Sequence, residues 1–436
     1  MKNKVLLVNP VFPRKVAGVP LQTLYLASAL KNASIETRIL DLNIVPEQEQ
    51  DTYLEDTLNS FKPTYVGVTS YSPNHPESLH IMRRTKEVSP DTIVISGGPH
   101  DIALGKDSPK PEFVDHRVTD TFGENALLEI VGSERRVADR QELFPAYELI
   151  PQHPSYQFDN ELFEGRNMTQ ILTATGCNQK CDFCSAQQNY IPFRNDVVVE
   201  HLEKLTDLGF DAVFFNDPNF TNPYRSPLLQ AQGLNDRYGR VRSLMEALIT
   251  SGLSEDLVWG CQTKASMVNA ELLDLMADAG CRYITYALEN VDDASLREMR
   301  KGITPEMVNQ AIHMTKGAGM KTGLYVMFGT KEDKEEDFEN ARATLDYVEK
   351  LRPEFLSISI LANYPMLDRN KSGERKHMGL DYTNKRYSRE PIWLEFDEGW
   401  GAYHPNCDVE QARRYKEEID RRIETKPQVW NRIRRF

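Results

Sequence analysis

Two successive runs of short apolar strands alternating with amphipathic helices constrain this 436-residue chain more than any other feature. In the first run, strands are expected at Val5–Asn9, Glu36–Leu40, Thr64–Thr69 and Thr92–Ser96. Helical periodicity falls over Leu21–Lys31, Tyr53–Phe61 and Pro76–Val88. Continuously apolar strands separated by helices require a parallel sheet covered on both faces. The second run carries strands at Gln170–Thr175, Ala212–Asn216, Val258–Thr263, Tyr283–Leu288, Thr322–Phe328 and Phe355–Leu361, again with helices between them. The fold class is therefore α/β: an N-terminal doubly wound, Rossmann-like domain (residues 1–131), a Pro-containing linker (132–168), a partial (β/α)6 barrel (169–366) and a short C-terminal region (367–436). A chain of this length suits more than one core.

Each run has a functional edge. In a doubly wound sheet ligands bind beyond the carboxyl ends of the strands. Here those loops read Asn9-Pro10-Val-Phe-Pro13, Ser70-Tyr71-Ser72-Pro-Asn74-His75 and Gly97-Gly98-Pro99-His100. No G-x-G-x-x-G phrase opens the first helix, which disfavours a dinucleotide. In the barrel, active residues belong at the strand carboxyl ends. The first barrel strand, Gln170-Ile-Leu-Thr-Ala-Thr-Gly176, leads into Cys177-Asn-Gln-Lys-Cys181-Asp-Phe-Cys184. Three thiolates on one short polar loop suit an iron–sulfur cluster. A structural zinc site would need a fourth ligand, commonly from a second Cys-x2-Cys pair, and none is present. Three isolated core cysteines are the remaining reading, which the polar residues between them oppose.

The Cys-x3-Cys-x2-Cys spacing, with Phe183 before the third cysteine, resembles the radical S-adenosylmethionine (SAM) superfamily. The resemblance implies a [4Fe-4S] cluster on Cys177, Cys181 and Cys184 whose fourth iron holds SAM. Further along, Phe214-Phe215-Asn216-Asp217-Pro-Asn219-Phe220 resembles the family's Asp-Asp-x-Phe phrase, and Tyr286-Ala287-Leu288-Glu289-Asn290 its Gly-x-Glu-Ser phrase. Asn216, Asp217 and Glu289 are thereby expected at SAM. An Asx turn or helix cap would explain Asn216 and Asp217 equally, and a surface salt bridge would explain Glu289. Lys264 could meet the SAM carboxylate, though a lysine just past a strand end is usually solvated. Val326 could flank adenine, and core packing explains it as well. The segment Glu271–Tyr283 and the phrase Met299-Arg-Lys-Gly302-Ile-Thr-Pro305 also resemble this branch, whereas Gly329-Thr-Lys-Glu332 and Tyr364-Pro-Met-Leu367 depart from it.

The first domain resembles the cobalamin-binding domain that precedes many radical SAM domains, on Val5–Pro10, Pro20–Ala27, Gly67–Ser70, Ile95–His100 and Gly123-Glu124. Asn9, Ser70, Tyr71, Gly97, Gly98 and His100 are the expected cobalamin contacts. No D-x-H-x-x-G phrase occurs, so cobalamin is expected to bind without a histidine on cobalt; His75, the one substitute, sits in a Pro- and Asn-rich loop. Taken together, the resemblance implies a B12-dependent radical SAM methyltransferase. A 5′-deoxyadenosyl radical would activate an unactivated carbon, methylcobalamin would supply the methyl group, and SAM would be consumed twice. A cyclase, mutase or epimerase without methyl transfer is the alternative, and a non-catalytic iron–sulfur protein a third. A methylthiotransferase is disfavoured because no further cysteine cluster precedes Cys177.

Composition bounds the setting. A net charge of −13 argues against general nucleic-acid binding. No stretch of about 18 apolar residues is present and no signal peptide opens the chain, so the cytoplasm is expected. Six cysteines in a chain of this size do not make a disulfide framework. Cys261 and Cys281 are expected in the core, and Cys407 has no assigned place. The expected partners are a peptide, protein or small-molecule substrate and an electron donor such as flavodoxin or ferredoxin. The segment Trp393–Cys407 gathers aromatic and titratable groups and could be a substrate-facing lid or a plug at the barrel bottom. A final helix from Glu410 to Phe436 carries nine Lys and Arg against five Asp and Glu, a balance that a solvated face explains.

Overall fold

The computed structural model describes residues 3–12, 18–106, 109–157, 162–184, 186, 189–225, 236–361, 407, 409–430 and 434–435. The chain divides into two compact units, residues 1–157 and residues 158–363 with 404–436. The Trp393–Asn406 stretch and the Tyr364–Leu367 phrase lie outside the described residues.

The first unit is a five-stranded, all-parallel sheet: β1 (Lys4–Asn9), β2 (Glu36–Asp41), β3 (Tyr65–Thr69), β4 (Ile93–Gly97) and β5 (His116–Arg117). Its order is β2-β1-β3-β4-β5. The order reverses between β1 and β3, and that reversal opens a crevice at their carboxyl ends. Leu6, Val8, Val66, Val68 and Val94 pack against Leu54, Leu58 and Phe61 of helix α2 (Gln50–Phe61) and Ile81 and Met82 of α3 (His75–Val88). Helix α1 (Leu21–Asn32) packs beside a helix at Gly123–Ile130.

The stretch expected as a linker is held to this unit as far as Gln157. Val137 and Asn125 exchange two hydrogen bonds of 2.8 and 2.9 Å. Arg140 is ion-paired with buried Glu124 at 3.0 Å and lies over the Tyr25 ring. Tyr156 donates 2.9 Å to Asp41 Oδ2. Lack of periodicity hid this packing from the sequence, because irregular segments attach through single side chains.

The second unit is a parallel sheet of β6 (Met168–Ile171), β7 (Ala212–Phe215), β8 (Val258–Thr263), β9 (Cys281–Glu289), β10 (Lys321–Phe328) and β11 (Phe355–Ile360), paired in chain order. Between them run helices at Asn195–Asp207, Gly239–Thr250, Ala270–Asp278, Pro305–Gly317 and Lys334–Leu351. This is the half-barrel expected from the six strands. Local sequence starts the later helices: Asn269, Thr304 and Asp333 each cap their helix by accepting from a backbone N–H one turn in. At the strands' amino ends Leu162 and Phe163 pack with Met168, Phe214, Tyr283 and Phe355.

Two departures from the sequence reading concern the tail. The expected final helix ends at Thr425, since Pro427 cannot continue the hydrogen-bonding pattern. A seventh parallel strand, Arg434–Arg435, then joins β11. Nor is the basic face simply solvated. Arg414 forks onto Glu335 at 2.7 and 2.8 Å, and Arg422 reaches Asp346 and Glu349 at 2.7 and 2.8 Å. The same helix sends Tyr415 to Asp337, whose carboxylate accepts from the backbone N–H of Gly329, Thr330 and Lys331. The tail thus fixes the loop that leaves β10.

Candidate functional site

The carboxyl ends of β6 to β10 surround one cavity of about 190 Å³. Cys177, Cys181 and Cys184 all line it, with Phe183 and Gln179 from the same loop. Pro218 and Asn219 enter after β7, and Gln262, Thr263 and Lys264 at the end of β8. Thr285, Ala287 and Glu289 come from β9, and Tyr325 from β10.

The cysteine loop is shaped for thiolates. Backbone N–H groups of Gln179 and Ala186 point at Cys177 Sγ and Cys184 Sγ, each at 3.4 Å. Burial pushes the Cys181 and Cys184 thiols up, while Lys301 works against burial at both and Lys264 at Cys181. Among the described residues no set of His, Cys, Asp and Glu converges on a single metal ion. Thiolates that each hold a different iron of a cube need not converge. Backbone donors, nearby cations and a shared cavity fit a [4Fe-4S] cluster.

Glu289 sits at the end of β9, where the register with β10 slips between Ala287 and Glu289, and its φ is +61°. A left-handed backbone at a non-glycine residue costs roughly 1–3 kcal/mol and gathers at functional sites. The carboxylate meets Lys301 Nζ at 2.6 Å, with both side chains less than a tenth exposed. Burial alone would lower the Lys301 ammonium; Glu289, helped by the Cys181 sulfur, outweighs it and raises the pKa. Lys301 also lies 5.2 Å from the Phe183 ring centre. Its turn is tight: Arg300 and Gly302 have φ of 50° and 62°, and the Asp182 N–H bonds Met299 O at 3.0 Å, tying the turn to the cysteine loop. Lys264 Nζ donates 3.0 Å to Gln179 Oε1, and burial lowers its pKa, with Lys301 adding to the effect.

The structure thus brings together Cys177, Cys181, Cys184, Phe183, Lys264 and Glu289. It does not bring Asn216, Asp217 or Val326 to the cavity wall. Val326 is fully buried in β10, so packing accounts for it. The Asn216 N–H is spent on Ile171 O at 2.8 Å. Asp217 is completely buried, and its carboxylate accepts from Thr173 N, Thr173 Oγ1 and Ala174 N at 2.7, 2.5 and 3.2 Å. These bonds also explain why the first barrel strand ends at Ile171 rather than Thr175. Beyond it, Ala174–Thr175 pairs with Ile191–Pro192 instead. Lys301 was missed by sequence reasoning, although its phrase Met299-Arg-Lys-Gly302 was visible. A lysine in a charged turn carries no mark of burial.

In the first unit the crevice loops gather at the carboxyl ends of β1, β3 and β4. Ser70 is fully buried and its hydroxyl pairs with His75 Nδ1 at 2.8 Å, while Ser72 Oγ pairs with His100 Nδ1 at 3.0 Å. The two imidazoles stack, with centroids 3.9 Å apart. Tyr71 packs on Phe12, and its backbone N–H bonds Asn74 Oδ1. Gly98, at φ +111°, lies so close to Ser70 that a Cβ would stand 2.7 Å from Ser70 O, so only glycine closes this loop pair. Asn9 gives its amide to Asp41 at 2.9 Å. Gly98 and the two hydroxyl–imidazole pairs hold this edge in one shape.

Burial holds His75 down at about 4, with Arg117 adding to it, and His100 down at about 3, with His75 and Arg117 adding to it. An unfolded chain binds these protons near 6.5, so it takes up more protons than the folded one as the pH falls from about 6.5 toward 4. Stability is therefore lost in that window and held above it, by up to about 3 kcal/mol for His75 alone. Thermal melts of the first unit's transition between pH 7 and 4 should show this slope. The His75→Gln/His100→Gln variant should flatten it, and an unchanged slope would contradict the assignment.

The comparisons with known proteins agree with this geometry. A model described as the Radical SAM superfamily matches residues 171–345, and one described as a B12 binding domain matches residues 13–123. The chain therefore carries a B12 binding domain followed by a radical SAM domain. The cofactors of this radical SAM enzyme are a [4Fe-4S] cluster, SAM and cobalamin. Relatives include an uncharacterized methyltransferase of Pyrococcus horikoshii, 22% identical over 83% of this chain and 81% of its own. Another is the cytidylyl-2-hydroxyethylphosphonate methyltransferase of Streptomyces wedmorensis, 24% identical over 84% and 80%. The anaerobic magnesium-protoporphyrin IX monomethyl ester cyclase of Rubrivivax gelatinosus is 23% identical over 78% and 65%. Among solved structures, the radical SAM methyltransferase TsrM of Kitasatospora setae, with tryptophan and a SAM analogue bound, superposes with a TM-score of 0.61. It is 21% identical, over 84% of this chain and 75% of that one.

Proposed function

We propose that this enzyme is a C-methyltransferase that methylates an unactivated carbon of a peptide or small-molecule substrate, with a 5′-deoxyadenosyl radical and methylcobalamin as its agents. When bound, the cluster supplies the electron that cleaves SAM, and cobalamin carries the methyl group. The observation that carries the reading is the single cavity in which three cysteines face Glu289, Lys301 and Lys264, in a chain that opens with a B12 binding domain.

The residues divide the work. Cys177, Cys181 and Cys184 hold the cluster. Glu289 is an acceptor for the SAM ammonium or ribose, and Lys301 and Lys264 are cations for its carboxylate; charged donors and acceptors in a partly enclosed site make the stronger hydrogen bonds. Ala287 and Tyr325 border the same cavity from β9 and β10 and are assigned to the nucleoside. Asn9, Ser70, Tyr71, Gly97, Gly98 and His100 form the edge assigned to cobalamin, without a histidine on cobalt. The absence of a D-x-H-x-x-G phrase supports that reading. Among the described residues no helix is long and apolar enough to cross a membrane. An oxygen-sensitive cluster favours the cytoplasm, with a flavodoxin- or ferredoxin-type donor.

The cyclase relative favours a second reading, ring closure or rearrangement without methyl transfer. Anaerobic incubation with SAM labelled as CD3, reductant and hydroxocobalamin separates the two. The methyl-transfer reading expects the label on protein-bound cobalamin and then in the product. Unlabelled cobalamin alongside continued SAM cleavage would favour the second reading.

A further inference from the structure

Three strand ends are joined through one buried aspartate. Asp217, after β7, accepts from Thr173 N, Thr173 Oγ1 and Ala174 N on the segment that leaves β6. Its own carbonyl accepts from Gln262 Nε2, on β8, at 3.0 Å. Arg240, buried at 4% exposure in the helix that follows β7, donates through Nη2 to Thr173 O at 2.9 Å and Thr173 Oγ1 at 2.6 Å, and through Nη1 to Phe220 O at 3.3 Å. The Thr173 hydroxyl therefore stands between guanidinium and carboxylate, accepting from one and donating to the other. Four residues further along the chain is Cys177, and Gln262 itself lines the cavity.

We propose that Arg240, Thr173 and Asp217 are positioning residues that fix the cysteine loop, and through Gln262 the end of β8, at the distance the cluster and SAM require. The proposal rests on the reading of Cys177, Cys181 and Cys184 as cluster ligands. Burying a carboxylate and a guanidinium costs more than an apolar packing of equal volume. What the ionic unit adds is direction: a planar guanidinium fork and a two-oxygen acceptor specify the orientation of the Thr173–Ala174 peptide, which packing alone would leave free to slide. Groups that orient a metal's ligands typically change affinity or activity by about 10–100-fold when altered, and these three act on Cys177 through the backbone that follows Thr173.

The test uses the full chain, anaerobically reconstituted. Thr173→Val keeps the shape and removes the bridging hydroxyl, whereas Thr173→Ser keeps the hydroxyl. The proposal expects Thr173→Val to bind iron but to show shifted EPR g-values for the reduced cluster, an altered midpoint potential and roughly tenfold weaker SAM binding. Thr173→Ser should restore all three. A purely structural role would lower thermal stability without moving g-values or SAM affinity, and wild-type spectra with wild-type SAM affinity in Thr173→Val would overturn the proposal. Should Thr173→Val fail to fold, Arg240→Lys, which keeps the charge and loses the fork, must give the same spectral change; a wild-type spectrum there overturns it equally. A wild-type chain that assembles no cluster would instead overturn the cluster reading and the proposal together.

Discussion

Replacing Cys177, Cys181 and Cys184 together by alanine is expected to yield a folded chain that takes up no cluster, shows no broad visible absorption and cleaves no SAM. The three sulfurs come from one loop and face one cavity, and no group of His, Cys, Asp and Glu among the described residues offers an alternative metal site. Cys261 and Cys281 cannot substitute, because they are fully buried in β8 and β9. The fold should survive, because the barrel sheet and its core do not involve the loop. Iron analysis with circular dichroism checks both halves. Four irons per chain in the triple variant would contradict the assignment.

The second large effect concerns the buried ion pair. Lys301→Met or Glu289→Gln alone is expected to destabilise the second unit by about 3–5 kcal/mol, because either change strands a buried charge. Each should also weaken SAM binding, by roughly 10–100-fold for a lost charge-assisted hydrogen bond. The double variant separates the effects: removing both charges should recover much of the stability but none of the SAM affinity, a coupling that a double-mutant cycle measures. Chemical denaturation and anaerobic SAM titration give the two numbers. Wild-type SAM affinity in the double variant would reduce the pair to a structural role. Asp217 belongs to a different class. Its carboxylate is committed to Thr173 and Ala174, so its removal acts first on the loop and only through it on SAM.

What could be read from the sequence, and what could not, follows from where each signal resides. Strand ends were legible because parallel buried strands are continuously apolar and stop at polar residues. Thus Lys264 and Glu289, each placed at a strand end, reach the cavity. Asp217 occupies such a position too and turns inward, since whether a strand-end carboxylate faces ligand or backbone depends on the preceding strand's exit. No local pattern encodes that exit. Lys301 lies 12 residues beyond its partner Glu289, across a short helix, and only the two left-handed residues beside it aim it into the site. The attachment of residues 132–157 to the first unit rests on single contacts such as Arg140 on Glu124 and Tyr156 on Asp41. The seventh strand is two residues long, too short for a period-two pattern to register. The basic tail shows the converse case, a charge run whose partners Glu335, Asp346 and Glu349 lie on one acidic helix.

The most direct measurement of the central claim is a single anaerobic incubation of the reconstituted chain with SAM, a low-potential reductant and hydroxocobalamin, assayed for 5′-deoxyadenosine and S-adenosylhomocysteine together. Radical generation and methyl donation draw on SAM separately and leave different remnants, so the account predicts that both accumulate and that 5′-deoxyadenosine vanishes in the triple cysteine variant. Formation of 5′-deoxyadenosine without any S-adenosylhomocysteine would contradict methyl transfer, and formation of neither by a cluster-loaded chain would contradict the radical SAM site itself.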